Sequence, residues 1–168
     1  MRILVIAAVL FYAPATIAGE DAFKNGPLFK DFGPVAEING ATPVPAETKF
    51  YVSFDTRQQA DSGDANRTLT SAARFINMHA AAGVNPENIH LAVVIHGKAV
   101  KDVTAKAESN LSLVEALVAQ QTRIIVCGQS AAYYDVDTAD LAPGVEMALS
   151  AMTAHALLQQ DGYTLNPF

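Results

Sequence analysis

The sequence predicts an α/β fold, a three-layer sandwich in which a mostly parallel sheet of about four to five strands is flanked by helices. Segments with strand-like composition alternate three times with segments of helical periodicity. One strand segment, 89–96, is also almost continuously apolar, as expected for a strand that is covered on both faces. We therefore expect a flavodoxin-like or Rossmann-like arrangement with right-handed crossovers.

The strand segments are short and rich in β-branched or aromatic residues. They comprise residues 49–55, 89–96 and 123–127, and residues 163–165 are expected to form a last short strand.

Three segments show the helical spacing of apolar residues, namely 66–82, 110–120 and 143–160. Gly83 stands where the first helix needs a residue with positive φ. In the second helix, Ser112 and Glu115 have the spacing of a capping box, and Ser109 and Asn110 are alternative caps.

The third helix is the longest, with Pro143 near its first turn and Gly162 after its end. The residues that it is expected to bury are Val145, Ala148, Leu149, Met152 and Ala156. A polar loop that includes Tyr133, Tyr134, Asp135, Asp137 and Asp140 is expected to precede it.

The N-terminal residues are expected to lie outside the domain at 48–168. Residues 1–18 have the layout of a secretory signal peptide, with Arg2, an apolar run and then small residues, and cleavage is expected after Ala15 or Ala18. An uncleaved anchor is the alternative. Residues 19–47 contain four prolines but are too apolar for a free linker, so we expect an arm that packs on the domain or on a neighbouring subunit. These features predict a periplasmic or secreted protein.

The charge balance and the cysteine count exclude several functions. Seventeen acidic residues against eleven basic ones give a net charge of −6, which argues against nucleic acids and anionic membrane surfaces as partners. A single cysteine allows no internal disulfide and no zinc site of several cysteines. We expect no cofactor, no metal and no membrane association after the signal peptide is removed.

Residues at the carboxyl ends of the three predicted strands should lie along one rim, where open α/β folds bind ligands. The candidate binding residues at and after these strand ends are Asp55, Arg57, Gly97, Gly128, Gln129 and Tyr133. Tyr133 is alternatively an ordinary loop residue.

Cys127 and His96 are the candidate catalytic residues on this rim. Cys127 lies where a strand meets a helix start, and the free N–H groups there favour a thiolate. His96 is a candidate general base or thiolate partner. The sequence leaves the strand order open, and Cys127 as a small buried apolar residue is the alternative.

Other motifs give little support to competing activities. The segment 128–132 resembles a nucleophile elbow around Ser130 but lacks its final glycine, and His155, the one histidine downstream, falls inside a predicted helix. No strand is followed by a glycine-rich phosphate loop. The four histidines lack the short paired spacing of a zinc site.

Several short segments, in this order and spacing, resemble the DsrE family. They are 94–97 (VIHG), 126–129 (VCGQ), 142–145 (APGV) leading into 148–153, and the ending 162–163 with 167–168, and the Gly-Pro and Phe-Gly pairs at 26–27 and 32–33 extend the match. The predicted signal peptide suggests an exported branch of the family.

The resemblance implies a small α/β domain that assembles into trimers or hexamers. Cytoplasmic relatives handle sulfur as a persulfide on a cysteine after the third strand, and Cys127 matches that position. A protein sulfur donor or acceptor is therefore expected, although export departs from the relatives' compartment. The alternative is a non-catalytic oligomeric module that binds a small ligand or partner, with Cys127 structural.

Overall fold

The computed structural model describes residues 19–167, and the predicted signal peptide lies outside the described residues. The strands are β1 (Phe23–Lys24), β2 (Val35–Ala36), β3 (Phe50–Thr56), β4 (Ile89–Ile95), β5 (Arg123–Cys127), β6 (Val145–Ala148) and β7 (Thr164–Leu165). The α-helices are α1 (Arg67–Ala81), α2 (Glu108–Ala119), α3 (Gly128–Tyr133) and α4 (Ala151–Gln160). Strands β3 to β7 form a five-stranded sheet in the order β6-β5-β4-β3-β7, and each neighbouring pair is parallel. The predicted fold class is confirmed.

Alternate residues of the central strands pack on opposite faces of the sheet, as strand geometry requires. On one face Phe54, Val93 and Val126 join the main core with apolar residues of α1 and α2. On the other face a smaller core unites the strand residues Ala92, Val94 and Ile125 with Ala154 and Leu158 of α4. The smaller core therefore depends on α4.

The predicted helix 143–160 is wrong over its first half. Residues 145–148 form β6, which pairs with β5, and α4 begins only at Ala151 with Ser150 as its N-cap. The later start changes which residues face inward, so that Leu149 is 73% and Met152 80% exposed, and Ala156 is exposed as well, instead of buried. Gly144, at φ 84°, and Pro143 lie in the loop before β6 and not in a helix.

Two local predictions also differ from the structure. Helix α2 begins at Glu108, two residues earlier than expected, and its N-cap Ala107 has no side-chain cap, so the expected capping box at Ser112 and Glu115 is wrong. The polar loop contains α3 and a 3₁₀ turn at 138–140, where Asp137 and Asp140 cap each other's backbone N–H groups.

Asn77 of α1 holds the N-terminal arm against the domain. This fully buried side chain accepts hydrogen bonds from the N–H groups of Leu28 and Phe29. Its amide nitrogen lies 3.0 Å from the carbonyl oxygens of Phe29, Phe32 and Gly33, to which it donates. One side chain of α1 thus satisfies five polar groups of a segment without long regular structure.

Over residues 19–167 none of the helices is long and apolar enough to cross a membrane.

Candidate functional site

Three candidate residues lie on one face and at one edge of the sheet. Strands β3, β4 and β5 are neighbours, and Asp55, His96 and Cys127 stand at or just after their carboxyl ends. His96 follows Val94 by two residues and Cys127 follows Ile125 by two, which places both on the face that α4 covers. The parallel sheet thus brings the predicted acid, imidazole and thiol to one place.

The register of β4 and β5 sets His96 beside Cys127. Ile95 pairs with Val126, so the next residue of each strand lies across a strand spacing of about 4.8 Å. The imidazole of His96, however, is hydrogen-bonded to Asp55, with Nε2 at 3.1 Å from Oδ2. In the described part of the chain no hydrogen bond joins His96 to the thiol, and its catalytic role stays a prediction.

Asp55 also contacts a second histidine, which comes from α4. His155 Nε2 lies 2.8 Å from the other carboxylate oxygen, Oδ1, of Asp55. Within residues 19–167, the Nδ1 atom of His155 is buried without a hydrogen-bond partner. A single carboxylate therefore ties the ends of β3 and β4 to α4 and orients both imidazole rings.

The thiol of Cys127 is buried, with 5% of the residue exposed, yet polar hydrogen atoms surround it. Burial is the largest single influence on the pKa of Cys127 and raises it. Hydrogen bonds from the Ser130 hydroxyl and from the backbone N–H groups of Ser130, Ala151 and Gln129 outweigh burial, so the pKa lies below its ordinary value. The thiolate is consequently more favoured than in an ordinary cysteine, although the position is nearly closed to solvent.

The N–H donors belong to two helices that begin on either side of the thiol. Cys127 is the N-cap residue of α3, and Gln129 and Ser130 lie in its first turn. Ala151 is the first residue of α4. Backbone N–H groups in the first turn of a helix have no partner within the helix and favour an anion nearby.

Ser130 connects the thiol to the end of β4. Its Oγ accepts a hydrogen bond of 2.9 Å from the backbone N–H of Gly97, which leaves the hydroxyl proton to donate to Cys127. Gly97 has φ 56°, and a Cβ there would lie 2.9 Å from the carbonyl oxygen of Arg57. A glycine at this position therefore allows the ends of β3 and β4 to approach closely.

A cavity of about 700 Å³ opens beside this site. Its lining includes Arg57, His96, Gly97, Lys98, Ser130 and Tyr134. Cys127 does not line the cavity itself, but the Ser130 hydroxyl that binds the thiol does.

The structure brings the other predicted binding residues together only in part. Gly128 packs so closely on β6 that a Cβ would lie 2.7 Å from the carbonyl oxygen of Ala148. Gln129 uses its side chain to donate to the carbonyl oxygen of Leu149 at 3.3 Å, while its N–H faces the thiol. Tyr133 is 81% exposed, and its ring lies 4.8 Å edge-on from Tyr134, which lines the cavity instead.

Sequence reasoning missed three residues of the site. The sequence places His155 inside a predicted helix, and its partner Asp55 lies 100 residues away in the chain, which no local pattern reveals. Ser130 was considered only as a hydrolase nucleophile. Its place three residues after Cys127, in the first helical turn, is the signal that indicates a thiol donor. Lys98 follows a predicted strand end directly, as Arg57 does.

No group of three or more histidine, cysteine, aspartate or glutamate side chains among residues 19–167 is arranged to hold a metal ion. Asp55, His96 and His155 are joined by the two hydrogen bonds described above.

Comparisons with known proteins agree with this architecture. The sequence profile of the DsrE/DsrF-like family matches residues 49–167. No curated protein matches the chain. A protein of unknown function from Methanobacterium thermoautotrophicum has a similar fold, with a TM-score of 0.56 and 20% sequence identity over 73% of this chain and 100% of that one. At that identity the likeness concerns the fold alone, but the profile spans the whole sheet and the site, and the chain belongs to the DsrE/DsrF-like family.

Proposed function

We propose that this protein is an exported DsrE-like protein that accepts sulfane sulfur on Cys127 as a persulfide and passes it to an acceptor. The observation that supports this most is the surroundings of the thiol. N–H groups at the starts of α3 and α4, together with the Ser130 hydroxyl, lower the pKa of Cys127 in spite of its burial. A cysteine whose pKa is lowered has a larger share of the anionic form that attacks sulfur.

The same donors stabilise Cys127 both when it attacks and when it leaves as a thiolate. When the thiolate attacks a sulfane sulfur, a bond forms between Sγ and that sulfur, and the donor leaves with the electron pair of the bond that breaks. The negative charge then lies on the outer sulfur of the persulfide. An acceptor thiolate attacks that outer sulfur, and Cys127 leaves as a thiolate stabilised by the same N–H groups.

His96 is proposed to assist by holding or moving a proton beside Cys127. Asp55 accepts from Nε2 of His96, which fixes the ring and leaves Nδ1 to face other groups. Asp55 is thus a positioning residue in this proposal.

Export and self-association complete the proposal. The layout of residues 1–18 supports secretion or a periplasmic location. The exposed Leu149 and Met152 beside the site support self-association through the amino end of α4, and the resemblance to DsrE relatives supports trimers or hexamers. A protein sulfur donor or acceptor would then act on the assembled protein.

Mass spectrometry of the intact protein after incubation with polysulfide tests the sulfur chemistry. We expect a gain of one sulfur atom, about 32 Da, that a reductant removes and that is absent in Cys127→Ser. Because the chain has one cysteine, the added sulfur has one expected position. An unmodified protein, or equal modification of Cys127→Ser, would contradict the proposal.

The second candidate function is a non-catalytic oligomeric module that binds a small ligand or a partner, with Cys127 structural. The 5% exposure of Cys127 favours this alternative. It predicts a thiol that alkylating reagents modify slowly, and a Cys127→Ala variant that loses stability and retains ligand binding. A low thiol pKa, measured from the pH dependence of alkylation, would favour sulfur transfer instead.

A further inference from the structure

The cavity beside the thiol is cationic, although the whole chain is acidic with a net charge of −6. Arg57 and Lys98 line it, one after the end of β3 and the other after the end of β4. No carboxylate belongs to its lining. The local positive charge is therefore a property of this edge of the sheet and not of the overall composition.

Neither cation forms an ion pair with a carboxylate of the described residues. Across residues 19–167 the ion pairs are His96 with Asp55, His155 with Asp55, and Arg123 with Glu146. Two acids lie near this edge: the oxygens of Asp55 are occupied by imidazole rings, and the buried carboxylate of Asp102 accepts hydrogen bonds from the N–H of Ala60 and the amide of Asn66. Arg57 and Lys98 are consequently available to an anion that enters the cavity.

Neutral hydrogen-bonding groups accompany the two cations. Gln58, Gln59, His96, Ser130 and Tyr134 also line the cavity, and the Ser130 hydroxyl reaches the thiol of Cys127. The cavity thus combines two cations with a hydroxyl group that hydrogen-bonds to the nucleophile.

We propose that this cavity binds a small sulfur oxyanion with a terminal sulfane sulfur, of which thiosulfate is the simplest, and that this anion is the sulfur donor to Cys127. The inference rests on the proposed function, because it names the donor for the same thiol. Arg57 and Lys98 hold the oxygens, and the outer sulfur faces Ser130 and Cys127. A dianion that approaches a thiolate is repelled, and the two cations offset this repulsion.

The transfer step needs no further reactant. The thiolate of Cys127 attacks the outer sulfur of thiosulfate, a bond forms between Sγ and that sulfur, and the sulfur–sulfur bond of thiosulfate breaks. Sulfite leaves with the electron pair of the broken bond. No proton is gained or lost, and the outer sulfur becomes the terminal atom of the persulfide.

Binding is measured apart from transfer by isothermal titration calorimetry of thiosulfate into Cys127→Ser. We expect saturable binding that weakens about tenfold when either Arg57→Gln or Lys98→Gln is added, because each change removes one charge-assisted contact. Lys49→Gln is the matched control, since this exposed lysine precedes the strand that Arg57 follows and lies at the opposite edge of the sheet. Cys127→Ser with Lys49→Gln added is expected to bind thiosulfate with the same affinity as Cys127→Ser alone.

Transfer is measured by mass spectrometry of the chain with its thiol intact. Thiosulfate is expected to label the wild-type protein and Lys49→Gln equally and to label Arg57→Gln and Lys98→Gln about tenfold more slowly. Absence of saturable binding, or equal weakening by the control, would overturn the inference. So would labelling by polysulfide without labelling by thiosulfate, which leaves the proposed function intact. Absence of labelling by both donors would overturn the proposed function.

Discussion

At the scale of single residues, the hydroxyl of Ser130 joins the thiol of Cys127 to the backbone of Gly97. The pKa of Cys127 reflects a balance between burial, which raises it, and hydrogen bonds, which lower it. The Ser130 side chain supplies the largest of the lowering influences, so its removal should shift the balance toward the neutral thiol.

We predict that Ser130→Ala raises the pKa of Cys127. Because the thiolate is the reactive form, a higher pKa leaves less of it at pH 7, and the rate of alkylation there should fall by up to about tenfold. The pH dependence of the iodoacetamide reaction measures this, since the midpoint of the rate profile should move to higher pH.

Ser112→Ala is the control for this change, because Ser112 is exposed on α2, away from the thiol. The same midpoint in both variants would show that the Ser130 hydroxyl does not stabilise the thiolate.

At the scale of elements, α1 forms one layer of the core and also holds the arm. Asn77 lies on this helix among buried apolar residues, and its side chain makes five hydrogen bonds with residues 28–33. Gly26 and Gly33 allow the arm to lie this close, since a Cβ at Gly33 would be 2.3 Å from the backbone nitrogen of Arg74. The arm thus packs closely against a single helix, α1.

We predict that Asn77→Ala lowers the free energy of unfolding by about 3 kcal/mol, because several buried polar groups of the arm lose their partner. Urea denaturation measures the loss. The arm should also become accessible to trypsin at Lys24 and Lys30, before the domain itself is cut.

Asn39→Ala is the matched control for Asn77→Ala, because Asn39 is exposed in a turn of the same arm. Equal stability of the two variants, or unchanged cleavage of the arm, would contradict the assigned role of Asn77.

The predicted and observed bounds of the strands and helices show which elements local sequence patterns can predict. The strands at 50–56, 89–95 and 123–127 and the helix at 67–81 lie within a residue or so of their predicted positions, because each has strong periodicity or β-branched composition. The prediction failed at β6, a four-residue strand that contains three apolar residues and one glutamate. Its strand conformation depends on pairing Ile124 with Val145 across the sheet, which is a non-local contact.

At the scale of the whole molecule, apolar surface remains at the amino end of α4. Leu149 and Met152 are exposed there, next to the edge of the sheet that holds the site. A second copy of the chain is the partner that the proposed oligomer places on this surface.

We predict that sedimentation velocity finds an oligomer of the domain and that Leu149→Asp with Met152→Asp shifts it to the monomer, because a buried charge at an interface is strongly unfavourable. Met78→Asp is the control, since Met78 is an exposed residue of α1, in the layer on the opposite face of the sheet. A monomeric wild-type protein, or equal dissociation of the control, would contradict the proposed assembly.

The sequence by itself determined the fold class, most of the strand and helix positions and the edge at which Asp55, His96 and Cys127 lie. These features follow from local periodicity and from the rule that parallel strands end at one edge. Only the tertiary structure decided that His96 turns to Asp55, that His155 joins them, and that Arg57 and Lys98 share a cavity. Those relations depend on strand order and on contacts between residues up to 100 positions apart, which local sequence patterns do not encode.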